Sequence, residues 1–258
     1  MRNQRTEIIT AGHNRMRLDS LDSLRLQKNK IYERAETAIM TAEAMGNPDK
    51  TVLDIGAHIG YFSLIAWRQQ KGYAGAGGVF AFEPDPLNFQ ILKENIFINT
   101  AEGIGAVEMA ISDKTGSGTL YLCPTNSGDH RIVIGTRTEG RERIPIKTSR
   151  LDDLDFIDWG RVGMVKIDTQ GAEVKVLMGA SKLLSQKKMK MIIEFWPWGL
   201  KEAGSSADEL LQAIYSAGFR ICDIRGSMTP VPKAGFTALS KNYAAMGRHS
   251  NLFCEKGR

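Results

Sequence analysis

The sequence predicts an α/β protein of Rossmann-like class, with a seven-stranded, mostly parallel sheet, helices on both faces and an antiparallel edge strand. Three observations predict it. Short apolar runs alternate with stretches of helical period, the pattern of strands joined by crossover helices. The first run passes directly into a glycine-containing turn, Gly56-Ala57-His58-Ile59-Gly60. Acidic residues close several of the runs, at the end of the sheet where ligands of open α/β folds sit.

In chain order, residues 1 to about 18 carry no periodic pattern. Leu21, Leu24, Ile31, Ala35, Ala38, Ile39 and Ala42 recur at helical spacing between Ser20 and Met45, stopped by Gly46-Asn47-Pro48. Residues 1–48 therefore read as an N-terminal helical extension and 49–258 as the main domain. Thr51 to Ile55 is the first strand, Tyr61 to Gln70 a helix, Val79 to Phe82 the second strand, Pro86 to Asn95 a helix and Val107 to Ile111 the third strand. Residues 116–146 break the rhythm with short β-like pieces (Thr119 to Leu122, Arg131 to Ile134, Arg143 to Ile146), as a hairpin insertion would. Met164 to Ile167, a helix from Ala172 to about Leu184, Met189 to Phe195, and a helix from Ala207 to Ala217 capped by Ser205/Ser206 follow. A strand at Phe219 to Ile224, a loop over 226–248 and a strand near Leu252 to Cys254 complete the chain; the last two suggest the antiparallel edge.

The 258 residues, 42% hydrophobic and 24% charged, suffice for a packed core without disulfides or structural metal. No apolar run approaches the roughly 20 residues of a bilayer span, and the N-terminus lacks a secretory apolar stretch, so cytoplasmic residence is the default expectation. Cys123, Cys222 and Cys254 have no ligand spacing and read as free thiols. The net charge of +5 is spread in small clusters without interleaved aromatics, a solvated surface and no nucleic-acid stripe. No metal site is expected.

Gly56 and Gly60 let the backbone turn and approach a ligand, and Asp54 holds that loop or receives an ammonium through water. Glu83, 23 residues after Gly60, stands where a carboxylate accepts both hydroxyls of a ribose. Ser112 and Asp113 close the third strand, where an adenine edge would be read. His58 occupies the place of the second glycine of GxGxxG, so the loop is not built for a pyrophosphate. This combination favours S-adenosylmethionine over NAD.

The runs Val52 to Ser63, Phe80 to Pro86 with Asn88 and Asn95, Ala110 to Asp113, and Val165-Lys166-Ile167-Asp168-Thr169-Gln170-Gly171-Ala172-Glu173 resemble the motifs of the FkbM-type methyltransferases over about residues 50–197. The resemblance implies a class I methyltransferase fold and methyl transfer from S-adenosylmethionine to a hydroxyl of a sugar or a polyketide-like product. It also implies cofactor contacts from Asp54, Gly56, Ala57, His58, Gly60, Tyr61, Phe62, Glu83, Pro84, Asn88, Ser112, Asp113 and Asp168. His58 departs from the asparagine most often found there and still donates a hydrogen bond.

An alcohol is a poor nucleophile, so a base or metal must take or share its proton. The candidates are Asp168, ending the fourth strand; Glu194, near the end of the fifth, followed by Phe195, Trp196 and Trp198; and His130 in the insertion, whose segment 126–131 resembles an acceptor-side loop of the family. Each has a structural alternative: Asp168 as a helix cap, Glu173 one turn on as a partner of Lys166 or of loop backbone, His130 as a surface histidine, the tryptophans as packing. His13 and His249 enter no motif. The acceptor is expected to be a small molecule or glycan, and the N-terminal helix offers a surface for a homodimer or a lid. Two alternatives stand beside this expectation: a nicotinamide-dependent oxidoreductase or epimerase, which lacks both GxGxxG and any Tyr-x-x-x-Lys, and a non-catalytic cofactor-binding scaffold.

Overall fold

The computed structural model describes residues 7–132, 140–225 and 227–257. A hairpin of β1 (Ile8–Ala11) and β2 (Asn14–Arg17) leads through a short helix α1 (Leu26–Asn29) to α2 (Arg34–Gly46). The alternation then runs β3 (Thr51–Ile55), α3 (Tyr61–Gln70), β4 (Val79–Phe82), α4 (Pro86–Ile98) and β5 (Ile104–Val107). An inserted small sheet holds β6 (Ala110–Ile111), β7 (Gly116–Tyr121) and β8 (Arg143–Ser149). After it come β9 (Val162–Ile167), α5 (Glu173–Met178), α6 (Ser181–Leu184), β10 (Met189–Phe195), α7 (Pro197–Glu202), α8 (Ala207–Ser216), β11 (Arg220–Asp223), β12 (Thr229–Pro230), α9 (Phe236–Met246) and β13 (Ser250–Lys256).

The main sheet has eight strands in the order β12-β11-β13-β10-β9-β3-β4-β5. Strand order reverses between β3 and β9, which are parallel neighbours, and that switch point opens the crevice used below. Alternate residues of β3 supply the two faces: Leu53 and Ile55 join the core under α5 and α8, Val52 the core under α2, α3 and α4. β10 is buried along nearly its whole length because both faces are covered.

Several expectations are corrected. The last strand, expected at the edge, lies inside the sheet, where β13 pairs antiparallel with both β10 and β11; the antiparallel edge is the short β12, paired with β11, which brings the strands among the described residues to eight. The third main-sheet strand ends at Val107; Ala110 and Ile111 belong to the small sheet, where they pair with Thr148 and Ser149. Residues 8–17, where the sequence shows no periodic pattern, form a hairpin whose two turn residues, Gly12 and His13, both have positive φ, as a type I′ turn requires. The helix expected from Ser20 is broken into the short α1 and α2, which starts at Arg34, since Asp22, Arg25, Lys30 and Glu33 all take positive φ. The helix after Ala172 is broken into α5 and α6, and the 226–248 loop contains α9, whose Phe236 and Tyr243 are buried. Of the β-like piece at Arg131 to Ile134, Arg131 bridges Tyr121, while residues 133 and 134 lie outside the described residues. Among the described residues no helix is long and apolar enough to cross a membrane.

Candidate active site

The carboxyl ends of β3, β4 and β9 open into one pocket enclosing about 850 Å³ of space, its open mouth included. Gly56 makes the crossing possible. Its φ is +84°, and a Cβ there would stand 1.9 Å from the Asp168 carbonyl oxygen, so the end of β3 touches the end of β9 only with glycine at this place. Gly60, at φ +85°, closes the turn against Leu92, whose Cδ1 lies 2.4 Å from where a Cβ would be; it supports the pocket without lining it.

Glu83, at the end of β4, is 6% exposed. Its Oε2 accepts from the His58 backbone N–H at 2.8 Å and its Oε1 from that of Asp85 at 2.9 Å. The carboxyl lines the pocket with hydrogen-bonding capacity beyond these two backbone groups. Burial pushes its pKa up to about 8. Asp85 caps α4 through the N–H groups of Leu87 and Asn88, which presents Asn88 to the pocket. Asp54, 1% exposed, accepts from Ser63 Oγ at 2.6 Å on Oδ2, while its Oδ1 is buried without a partner. His58 sits at φ +52°; its Nε2 lies 2.6 Å from Ser127 Oγ and its Nδ1 is buried without a partner. Burial lowers its pKa, leaving the ring neutral.

These residues fit an adenosyl ligand. A glycine cradle that a Cβ would fill, a carboxyl with hydrogen-bonding capacity to spare for vicinal hydroxyls, and orphaned buried atoms on Asp54 and His58 line one cavity, with Ala57, Tyr61, Phe62, Pro84 and Asn88 in its wall. Ser112 and Asp113 are outside that lining. The chain leaves the main sheet after Val107, so Met109, Ala110 and Ile111 face the pocket, and Ser112 turns to donate to Asp113.

The floor is a charged cluster. Lys166 stands beside Asp54 across the β3–β9 pair, 2% exposed, its ammonium 4.6 Å from the centre of the Phe62 ring and 2.8 Å from Asp168 Oδ2. Asp168, Glu33 and Asp54 outweigh burial and hold Lys166 protonated. Gln170 Nε2 donates to Asp168 Oδ1 at 2.8 Å, and despite its burial Asp168 is held below the usual carboxylate range by Lys166 and these hydrogen bonds. Glu173 Oε1 accepts from Thr169 N, Thr169 Oγ1 and Gly171 N, stapling the turn that carries Asp168 and Gln170. Glu194 accepts from Gln170 Nε2 at 3.2 and 3.3 Å; burial, then the charges of Asp168, Glu173 and Glu33, push its pKa well above the usual carboxylate range. His130 lines the pocket, with Nδ1 accepting the Cys123 N–H at 3.0 Å and Nε2 3.7 Å from Asp85 Oδ2. Trp196 and Trp198 stack on Arg131, 4.5 and 5.0 Å from its guanidinium, and tie the insertion to the β10–α7 corner from outside the pocket lining.

The sequence reading singled out neither Lys166 nor Tyr32 as a site residue. Lys166 carried a signal: a lysine in an otherwise apolar strand must be paired. Tyr32 carried none: it is not among the periodic apolar positions of the helix expected over Ser20 to Met45, and it reaches the pocket where that helix is interrupted.

A sequence model described as the methyltransferase FkbM domain matches residues 54–221. Methyltransferase sdnD of Sordaria araneosa is 27% identical over 180 residues, 58% of this chain and 68% of that protein. The hexuronic acid methyltransferase AglP of Haloferax volcanii is 30% identical over 142 residues, 53% of this chain and 52% of that protein. The 31-O-demethyl-FK506 methyltransferase FkbM of Streptomyces tacrolimicus is 27% identical over 161 residues, 51% of this chain and 60% of that protein. The chain thus spans about half to two thirds of the length of these relatives.

Proposed function

This chain belongs to the FkbM family of S-adenosylmethionine-dependent methyltransferases, and from that premise we propose that it methylates a hydroxyl of a sugar or secondary-metabolite acceptor. The observation that carries the proposal is the meeting, in one pocket, of the Glu83 carboxyl with the Lys166–Asp168 pair at the switch point of the sheet. Among relatives, one is named for a hexuronic acid and one for 31-O-demethyl-FK506; the first name supports a sugar-like acceptor and the second an oxygen acceptor.

The donor, when bound, supplies an electrophilic methyl on a positively charged sulfur. Glu83 meets the ribose hydroxyls: one hydroxyl donates to the carbonyl oxygen, and the proton that burial retains on the carboxyl below about pH 8 is given to the other. Asp54 takes an ammonium on the oxygen that Ser63 leaves free. Gly56, Ala57 and His58 close the backbone around the ligand, with Pro84 and Asn88 on the adenosine side. Asp168, ionised and fixed between Lys166 and Gln170, places negative charge where positive charge is carried before transfer. Most of the rate enhancement then comes from holding the acceptor oxygen in line and close. The apolar wall from Leu24, Met109, Leu120 and Ile132 suits a ligand whose faces are partly apolar.

The test is a methyl-labelled donor incubated with purified protein and a panel of uronic acids, neutral glycosides and hydroxylated macrolides. An alkali-stable ether on the acceptor is expected. Label released by mild alkali as an ester, or found on nitrogen, would sink the hydroxyl assignment. Asp168→Asn should cost turnover far more than donor affinity; unchanged turnover would remove Asp168 from the transfer.

A further inference from the structure

Four side chains from three separate segments meet in series at the pocket wall. Asp19 and Ser23 belong to the segment before α2, outside the matched residues 54–221, Ser127 to the insertion, and His58 to the turn after β3. Asp19 is 4% exposed and accepts from the backbone N–H groups of Leu21 and Ser23 at 3.0 Å and from Ser23 Oγ at 2.9 Å. Ser23 Oγ in turn receives the Ser127 backbone N–H at 2.9 Å and lies 3.0 Å from Ser127 Oγ, which is 2.6 Å from His58 Nε2. His58 lines the pocket, and its Nδ1 is buried without a hydrogen-bond partner.

Proton counting fixes the direction of every bond in this series. A serine hydroxyl carries one proton and two lone pairs. The Ser23 proton goes to Asp19, so the Ser23 oxygen meets Ser127 with lone pairs alone: one takes the backbone N–H, the other the Ser127 hydroxyl proton. The Ser127 oxygen then has no proton left for His58 and accepts from it, which places the imidazole proton on Nε2. In a neutral ring the second nitrogen, Nδ1, is then a bare acceptor. The opposite tautomer leaves a fault: the Ser127 proton would turn to Nε2, and the two serine oxygens would face each other at 3.0 Å with no proton between them. Burial outweighs the nearby Asp19, Asp168 and Asp85 carboxylates and, with His130 acting in the same sense, lowers the His58 pKa, so the ring is neutral at pH 7.

His58 also takes φ +52°, in the left-handed region. Positive φ and an unmatched buried acceptor both cost stability, and such features cluster at ligand sites. The His58 backbone N–H meets Glu83 Oε2 at 2.8 Å, so the ring stands beside the carboxyl assigned to the ribose. We propose that Asp19, Ser23 and Ser127 are positioning residues that hold His58 in its Nε2–H form, and that Nδ1 accepts a hydrogen bond from an O–H or N–H of the bound adenosyl ligand. The proposal rests on the methyltransferase reading above and extends the donor site into the N-terminal segment. A ligand that offers an acceptor at this place is disfavoured, because two lone pairs would face one another.

Ring 15N spectra of histidine-labelled protein at pH 7 read the tautomer directly, with His58 assigned by its loss in His58→Gln. Wild type should show a protonated Nε2 and a bare Nδ1, and S-adenosylhomocysteine should shift the Nδ1 signal in the sense of hydrogen-bond acceptance. Ser23→Ala removes the oxygen to which Ser127 donates. The Ser127 proton then turns to Nε2, and His58 should change to its Nδ1–H form although neither His58 nor Ser127 is altered. Affinity for S-adenosylhomocysteine should fall by about tenfold, the size of one lost hydrogen bond. Ser23→Thr, which retains the hydroxyl, should restore both. Should Ser23→Ala fail to fold, Ser127→Ala reads the same role through loss of a single tautomer. A wild-type Nδ1–H form, an unchanged tautomer in the alanine variant, or an Nδ1 signal indifferent to the ligand would overturn the proposal; a merely structural role for Ser23 leaves the tautomer where it was. Failure of wild type to bind S-adenosylhomocysteine would instead overturn the methyltransferase reading itself, whatever the tautomer.

Discussion

Glu83 and Lys166 show, at the scale of single residues, how burial sets the chemistry of this pocket. The Glu83 carboxyl is pushed from its ordinary value near 4.5 to about 8, so the native protein holds one more proton than the unfolded chain between those limits. The sign follows: this group's contribution to stability is fully present below pH 4.5 and is lost as pH rises through about 8. Each pH unit in that window changes the balance by up to about 1.4 kcal/mol. Glu83→Gln should flatten the fall of urea midpoints between pH 5 and pH 9 while abolishing S-adenosylhomocysteine binding; an unchanged slope would mean that Glu83 is ionised in the native protein. Lys166 behaves oppositely. Lys166→Met strands Asp168 and Asp54 without their counter-charge, and breaking such a buried pair costs about 3–5 kcal/mol. Urea unfolding at pH 7 should show that loss, with partial recovery at lower pH as the carboxylates protonate; a loss under 1 kcal/mol would contradict the pairing.

Among the elements, the N-terminal hairpin is held by an unusual device. Asn95 on α4 and Asn99, which caps its C-terminus one turn on, act as a substitute strand for β2. Asn95 Oδ1 accepts from Arg17 N at 2.6 Å and its Nδ2 donates to Arg17 O at 2.9 Å; Asn99 does the same for Arg15 at 3.0 and 2.6 Å. Asn95 also donates to the Ile59 carbonyl at 2.8 Å, linking the hairpin to the ligand turn. Downstream, Asp19 holds Ser23, whose hydroxyl meets Ser127 Oγ at 3.0 Å above His58. Asn95→Ala removes three hydrogen bonds at a fully buried site and should cost about 2–4 kcal/mol. Trypsin should then cut first after Arg15 or Arg17; cleavage elsewhere first would show that the hairpin docks by other means. Asn99→Ala, at the exposed end of the pair, should have a smaller effect.

For the whole molecule, the strands buried on both faces were legible because their apolar runs are continuous: β3, β4, α3 and β10 fall where the sequence puts them. The sheet order inside the second half was not. Nothing local in Ser250–Lys256 says that it wedges between β10 and β11 instead of lying outside them, since that choice is made by long-range pairing. The third strand was misplaced because Val107, Met109, Ala110 and Ile111 read as one run in the sequence, whereas β5 ends at Val107 and the chain bends at Met109, carrying Ser112 and Asp113 away from the pocket. The main strand-end positions of the site, Asp54, Glu83 and Asp168, followed from the alternation itself. Tyr32 did not, because four residues at positive φ between Asp22 and Glu33 break the helix that the apolar spacing predicts there.

The central claim is that Glu83 at the switch point binds the adenosine part of S-adenosylmethionine. Calorimetric titration of wild type and Glu83→Ala with S-adenosylmethionine, S-adenosylhomocysteine and NAD tests it most directly. Wild type should bind both adenosyl ligands at micromolar concentration and not NAD, and the substitution should abolish binding. Binding of NAD alone, or adenosyl binding that survives Glu83→Ala, would contradict the account.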